Sequence, residues 1–448
     1  MSKRWFSLIL CIAMLCMAIP MALADANKPV TITICSNDAH SKDVFVEKVE
    51  NFNNNEGKEL GIVIDLSVYG TDYYSTLDVA LSADEAPYIF KCNKIPQYAR
   101  SGKIAALEDL PTGQEIADLY APMNSVGVGI VDGKTYAVPF KSTTMGLAYN
   151  KDLFAKLGLE FPKTYAEMEE CARIITDNGN GMTYGYGLGM TYVSYGMFFI
   201  LPMASASTGY TQFDYVNGRY CFSKLEPYMN HLLRIINDGD MFPGFETMND
   251  DTKRAQFAAG NIGMIPVFSA DVGVLTSQFP ATFDWDVGPY PVEDENVRYK
   301  MFSNPSNFYV VNQKAIDDGV AEEVMVVLNA LLSEEHLLNL YEREKDMITR
   351  ADVKEKADTS NMSKQWASFG DASYRFTGFG SPEGLIAVEG DSYQAVFDKI
   401  LTGIVEPGPA LADLDERYNA ALDKAIADGS LDINDYIIPN YAELVKMD

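Results

Sequence analysis

Histidine is almost missing from this chain: three occur in 448 residues, at positions 40, 231 and 336. Spread so widely, they give no zinc-ligand spacing and no nucleophile–base pairing, and each is expected to be structural or at the surface. Cysteine is scarce too, six in all, with Cys11 and Cys16 inside the first 24 residues. Cys35, Cys92, Cys171 and Cys221 are too irregularly spaced for a metal site. Cys35 and Cys92 each end a strand-like run, "TITIC" and "YIFKC". A disulfide between them is open in an oxidising compartment, and two buried thiols are the favoured reading. No G-x-S-x-G elbow and no P-loop occurs, and "GYGLG" at 185–189 lacks dinucleotide-loop spacing. "DNGNG" at 177–181 fails as a calcium loop, because Gly179 and Leu188 stand where oxygen ligands belong. It reads instead as a helix end followed by a turn.

Positive charge is the next shortage. Lys and Arg number 35 against 63 Asp and Glu, a net charge of -28. Nucleic acid and anionic lipid both demand a basic surface, so neither is an expected partner. The excess of acid reads first as solubility, and second as attraction for a cationic ligand. Plentiful carboxylates also leave a secreted carbohydrate-active enzyme open, although nothing in the sequence pairs two of them at glycosidase spacing.

Long apolar runs are absent after residue 24. Before it, Lys3 and Arg4 precede an apolar run over 5–23, and "ALA" at 22–24 offers a cleavage site before Asp25. This predicts a secretory leader and an exported, periplasmic or cell-surface protein. An uncleaved anchor is the alternative, since the run approaches bilayer-spanning length. Leu10 precedes Cys11 and Leu15 precedes Cys16, where a lipidated cysteine needs a small residue, so a lipid anchor is disfavoured.

What is present is an alternation of strand and helix patterns. "VTITIC" and "GIVIDLSVY" read as strands, "DYYSTLDVALSAD" as a helix, "APYIFKC" as a strand and "IPQYARSG" as a short helix. That order predicts an open α/β sheet, with ligands outside the carboxyl ends of its strands. The loops there begin at Ser36, Asn37 and Asp38, and at Asn93 and Lys94. Asp132 and Gly133 signal a tight turn. Thr164 and Glu167 form a capping box ahead of a helix ending at Gly179. A second α/β unit is expected over about 182–300, and the length suits two units without a flexible linker. Aromatic residues make up 12% of the chain, chiefly 26 Tyr and 23 Phe, which suits a wet cleft as well as a core. Trp285, in "TFDWDVGPYP", is expected in the core, and Trp366, in the polar stretch "NMSKQWASFGD", in a cleft.

Residues 132–169, "DGKTYAVPFKSTTMGLAYNKDLFAKLGLEFPKTYAEME", hold a polar patch, "KSTT", between two apolar runs. The segment resembles the signature of the family 1 extracellular solute-binding proteins of ABC importers, the maltose-binding-protein-like group. The carriers are Gly133, Lys134, Tyr136, Pro139, Tyr149, Asn150, Lys151, Phe154, Gly158, Pro162, Thr164 and Glu167, with Tyr165 in place of the usual Trp. "FAAGNIGMIPV" and "APYIFKCN" are weaker matches.

The resemblance implies an α/β, two-lobe, type II periplasmic-binding-protein-like fold with its ligand cleft between lobes joined by hinge crossings. The implied segments are 1–24 leader, 25–141 and 306–352 first lobe, and 142–305 and 353–448 second lobe. It implies a monomer that captures a sugar or oligosaccharide and delivers it to a membrane permease, with no cofactor, metal or catalytic residue. By position it implies ligand contacts at Asn37, Asp38, Asn93, Lys141, Thr143, Tyr195, Asp271, Trp366 and Tyr393. Ala270 and Asp271 stand where many relatives carry a stacking Trp. That makes a long flat oligosaccharide a poorer fit and points Asp271 at hydroxyls or at a cationic solute such as a polyamine.

Overall fold

In the computed structural model the described residues are 28–70, 72–191, 195–303, 307–370, 375–377 and 379–447. The leader expected over 1–24, with Cys11 and Cys16, lies outside them. The strands, in chain order, are β1 (Val30–Ser36), β2 (Ile62–Val68), β3 (Ile89–Cys92), β4 (Ile130–Val131), β5 (Lys134–Thr135), β6 (Val138–Ser142), β7 (Met145–Asn150) and β8 (Tyr184–Tyr186). They continue as β9 (Phe213–Asp214), β10 (Arg219–Tyr220), β11 (Ile262–Phe268), β12 (Trp285–Gly288), β13 (Met301–Ser303), β14 (Asn307–Val311), β15 (Met347–Ile348) and β16 (Arg375–Thr377).

Six strands make the first sheet, in the order β15-β6-β14-β3-β1-β2. It is a mixed sheet, with two parallel and three antiparallel pairings, and helices cover both of its faces. Ile32 and Ile34 share one cluster with Val44, Phe45, Val49 and Phe52 of the helix Lys42–Asn54. Cys35, Phe90 and Cys92 share the other with Tyr73, Leu77 and Leu81 of the helix Tyr73–Ser82. Cys35 and Cys92 are both buried free thiols, and on β3 the register partner of Cys35 is Phe90. Burial pushes both thiols up, Cys35 to about 11 and Cys92 to about 12, so both stay protonated and inert at neutral pH.

Strand directions decide which loops meet. β1 is parallel to β2, from Val30 on Ile62 to Ser36 on Val68, and parallel to β3. β14 is antiparallel to both β3 and β6, and β15 is antiparallel to β6. One edge of the sheet therefore gathers the ends of β1, β2, β3 and β6 with the beginnings of β14 and β15.

β7 belongs to a different sheet, of order β12-β7-β11-β8. The polar patch "KSTT" is thus the place where the chain leaves one sheet for the other. Lys141 and Ser142 end β6, Met145 begins β7, and only Thr143 and Thr144 lie between. A second connection enters the first sheet at β14 from β13, which pairs with β16 in a separate two-stranded sheet; 304–306 between them lie outside the described residues. A third follows β15 through Thr349, whose hydroxyl donates to the Pro139 carbonyl at 2.7 Å.

Local signals hold in detail. Asp132 and Gly133 both have positive φ, 50° and 78°, as the two-residue turn between β4 and β5 needs. The Thr164–Glu167 capping box is formed at the start of the helix Tyr165–Asn178. That helix packs on β8 so closely that a Cβ on Gly185 would stand 2.2 Å from Ala172 Cα, against backbone that cannot turn aside. Gly185→Ala is therefore expected to cost about 1–3 kcal/mol, read as a lower urea midpoint at unchanged slope.

Candidate functional site

At the common edge of the first sheet, the loop after β1 turns Asp38 inward, where it is buried. Its Oδ1 accepts from Lys91 Nζ at 2.7 Å. Its Oδ2 accepts from Lys141 Nζ at 2.8 Å and from the Tyr309 hydroxyl at 2.7 Å. Lys141, itself fully buried, also donates to Asp346 Oδ2 at 3.2 Å, and His40 Nε2 lies 2.9 Å from Asp346 Oδ1. The Lys141 ammonium sits 4.9 Å from the centre of the Phe45 ring.

Burial by itself would push these carboxyls up. The Lys141 and Lys91 ammoniums outweigh it and hold Asp38 well below the usual carboxylate range. Against the same burial, Lys141 and His40 take Asp346 down to about 2. Burial likewise opposes charge on Lys141, and Asp346 and Asp38 raise it regardless. The cluster is therefore an ionised, balanced network. Lys141 stands just before the first connection, Tyr309 just after the second and Asp346 just before the third. One carboxylate, Asp38, ties the first-sheet ends of two of them directly and the third through Lys141.

Two neutral polar atoms at this edge are left over. Asn37 Oδ1 and Thr144 Oγ1 are buried and have no hydrogen-bond partner among the described residues. Asn93 is exposed, and Ser142 and Thr143 are half-buried. Lys94, the nearby cation, is paired with Asp78 at 2.6 Å.

Several residues expected at the ligand are engaged within the protein. Asp38 and Lys141 are at the right edge but spend their charges on each other inside the protein. Asp271 is buried in the short helix Asp271–Gly273 that follows β11 of the second sheet. Its Oδ1 takes Arg254 and its Oδ2 takes the Phe268 N–H at 2.9 Å, so neither oxygen is open to a solute. Tyr195 is buried, its hydroxyl donating to Asp398. Tyr393 lies in a helix-layer core against Phe222 and Phe397, at ring distances of 5.7 and 5.4 Å. Trp366 is fully buried beside Tyr341, at 5.9 Å. Trp285 is in the core, as its strand-like segment predicts. The edge therefore brings together Asn37, Asp38, Asn93, Lys141 and Thr143, and leaves Asp271, Tyr195, Trp366 and Tyr393 committed to packing.

Sequence reading missed Lys91, Tyr309, Asp346 and Thr144. For Lys91 there was a signal: a charge inside "YIFKC" needs a buried partner. Among the described residues no group of three or more His, Cys, Asp and Glu side chains is placed to hold a metal, and no helix is long and apolar enough to cross a membrane.

Two sheets, each flanked by helices and joined through short connections, with polar strand ends at the junction, define the class of two-lobed binding proteins. Residues 38–336 match the family of bacterial extracellular solute-binding proteins, and the chain belongs to that family. The melibiose/raffinose/stachyose-binding protein MelE of Bacillus subtilis is 24% identical over 235 residues, 51% of this chain and 53% of that protein. The maltotriose-binding protein of Pyrococcus abyssi is 29% identical over 141 residues, 31% of this chain and 28% of that one. The chain thus spans about half the length of the first relative, 53%, and less of the second.

Among solved structures, the maltose/maltodextrin-binding domain MalE of Bdellovibrio bacteriovorus bound to maltotriose superposes with a TM-score of 0.68 at 18% identity, over 89% of this chain and 100% of that one. RafE in complex with raffinose gives 0.66 at 16% identity, over 88% and 99%. At these identities the likeness is one of fold, the type II two-lobe architecture.

Proposed function

We propose that this protein is the extracytoplasmic binding component of an ABC importer, taking up a neutral sugar or oligosaccharide between its lobes and passing it to the membrane permease. The observation that carries the reading is the pairing pattern at the sheet edge. Asp38, Lys91, Lys94 and Lys141 are neutralised within the protein, while Asn37 Oδ1 and Thr144 Oγ1 are desolvated and unpartnered. Leaving such acceptors unsatisfied costs stability, and a ligand rich in hydroxyl donors removes the cost on binding. The sugar-binding names of the relatives support the same class. Lobe closure around the ligand needs no covalent chemistry, so the protein acts as a binder and not as an enzyme. In this reading 25–141 and 306–352 form one lobe, 142–305 and 353–448 the other, 1–24 is a cleaved leader without a lipid anchor, and the protein works as a monomer. A polyamine is the weaker reading, because Asp271, the carboxylate that motivated it, is taken by Arg254.

Thermal-shift screening with mono- and oligosaccharides and polyamines tests this. A sugar at about 1,000 times its Kd is expected to add about 4 kcal/mol, seen as a raised midpoint, with the sugar unchanged on long incubation. A shift with polyamines alone, or cleavage of a glycan, overturns the reading. With a sugar in hand, Thr144→Val and Asn37→Ala are each expected to weaken binding by up to about tenfold, the worth of one hydrogen bond. Neither should lower the melting temperature of the free protein, because the lost acceptor was unsatisfied. Calorimetric titration and melting of the same samples check both halves.

A further inference from the structure

β2 is the outermost strand of the first sheet, and its end carries a residue the function has not yet used. Ser36 and Val68 are the last register pair of β1 and β2. The next backbone bond, Tyr69 N–H to Ser36 C=O at 2.9 Å, continues that register and sets Tyr69 on the row of Asn37. Tyr69 therefore stands at the same strand-end edge as the unpartnered Asn37 Oδ1.

Tyr69 is 39% exposed, and it is the one aromatic among the exposed large apolar side chains of the described residues. Its ring is backed from below. The Tyr73 ring lies 6.1 Å away at 46°, and Tyr73 is itself 1% exposed. The Tyr73 hydroxyl donates to the Lys91 carbonyl at 2.7 Å and lies 3.6 Å from Cys35 Sγ. Tyr73 also packs edge-on against Tyr74 at 5.0 Å. Lys91 in turn holds Asp38, so the residue supporting Tyr69 and the residue following Asn37 are tied to one strand, β3. A partly exposed ring thus lies against an immobilised one, on the same row as a buried acceptor without a partner among the described residues. Apolar contact over a ring face combined with directed hydrogen bonds is what a sugar ring offers: C–H groups on one face and hydroxyls at the rim.

We infer that Tyr69 contacts the ligand and helps set its specificity, stacking under the C–H face of a pyranose whose hydroxyl donates to Asn37 Oδ1. The inference rests on the sugar-binding reading above and adds to it the residue that selects for ring shape. It favours sugars with a continuous C–H face over open-chain polyols with the same number of hydroxyls.

The test uses the full exported chain and the sugar that raises the wild-type melting midpoint. Affinities of Tyr69→Ala, Tyr69→Phe and Asn37→Ala are compared by calorimetry, with melting of each free variant. Tyr69→Ala is expected to weaken binding about tenfold or more, and Tyr69→Phe to stay within about threefold, since stacking needs the ring and not the hydroxyl. The melting temperature of free Tyr69→Ala should stay close to wild type, as an exposed side chain predicts. If Asn37→Ala weakens binding and Tyr69→Ala does not, the role of Tyr69 is overturned while sugar binding stands. If no sugar binds the wild-type protein, the functional reading falls and takes this inference with it. Equal losses in Tyr69→Ala and Tyr69→Phe would assign the effect to the hydroxyl and overturn stacking.

Discussion

Lys141→Met is expected to destabilise the protein by about 3–5 kcal/mol at pH 7, the cost of stranding a buried charge by removing its partner. Lys141 is fully buried and bonds both Asp38 and Asp346. Met fills much of the same volume, so the loss is electrostatic rather than a cavity. The pH dependence distinguishes the two causes. In the wild type, Asp346 titrates near 2 and Asp38 well below the usual range. Both are depressed relative to an unfolded carboxylate near 3.9, so their stabilisation is complete above about pH 4 and is lost as the pH falls through their folded values. In the variant the same carboxylates lose their main cation, and burial pushes their folded values up. Their penalty is then full above those raised values and is relieved as pH falls toward about 4. The gap between wild type and Lys141→Met should therefore narrow from pH 7 to pH 4, measured by urea unfolding. A gap of constant size across that range would show that packing, and not charge, is what Lys141 supplies.

Trp366→Ala is expected to cost about 3–5 kcal/mol and to leave the affinity of the surviving folded protein for a sugar found by thermal-shift screening within about twofold of wild type. Trp366 lies in the helix Lys364–Phe369, which follows the third connection, and its ring meets Tyr341 of the helix Glu334–Glu342. The adjacent Gln365 donates to the Trp285 carbonyl at 2.7 Å, anchoring the helix on β12. The indole thus packs behind the junction rather than in an open cleft. Trp366 Nε1 has no partner among the described residues. Trp366→Phe removes that unsatisfied donor and keeps most of the ring, and should be milder than Trp366→Ala by at least about 1 kcal/mol. Denaturant titration and calorimetry on the same two variants check this. A stable Trp366→Ala that no longer binds sugar would return this residue to the ligand site.

Trp366 also shows why the site was harder to read than the fold. "NMSKQWASFGD" is polar by composition, yet Trp366 and Phe369 are three apart on a helix and share one buried face. A short helix inside a polar stretch leaves too few apolar positions for the period to show. Lys141 and Asp271 misled differently. Each is a charged residue at the end of an apolar strand, which reads as cleft-facing until its partner is known. The partners of Lys141 are remote, Asp38 at 103 residues and Asp346 at 205, whereas Arg254, which takes Asp271, lies 17 residues away on a different element.

Alone, the sequence was enough to establish the alternating α/β units, the capping box at Thr164, the turn at Asp132 and Gly133, and the interruption between β6 and β7. These follow from periods of two and 3.6 residues and from side chains acting on their own backbone within a few positions. It was also enough to place Asn37, Asn93 and Thr143 at strand ends. Only the tertiary structure decided which polar groups at those ends remain available. Charge pairing joins residues that no local pattern relates, and it is settled when the strands β1, β3, β6, β14 and β15 come to one edge. There Asp38, Lys91, Lys141, Tyr309 and Asp346 satisfy one another, and Asn37 Oδ1 and Thr144 Oγ1 are left buried without a partner among the described residues.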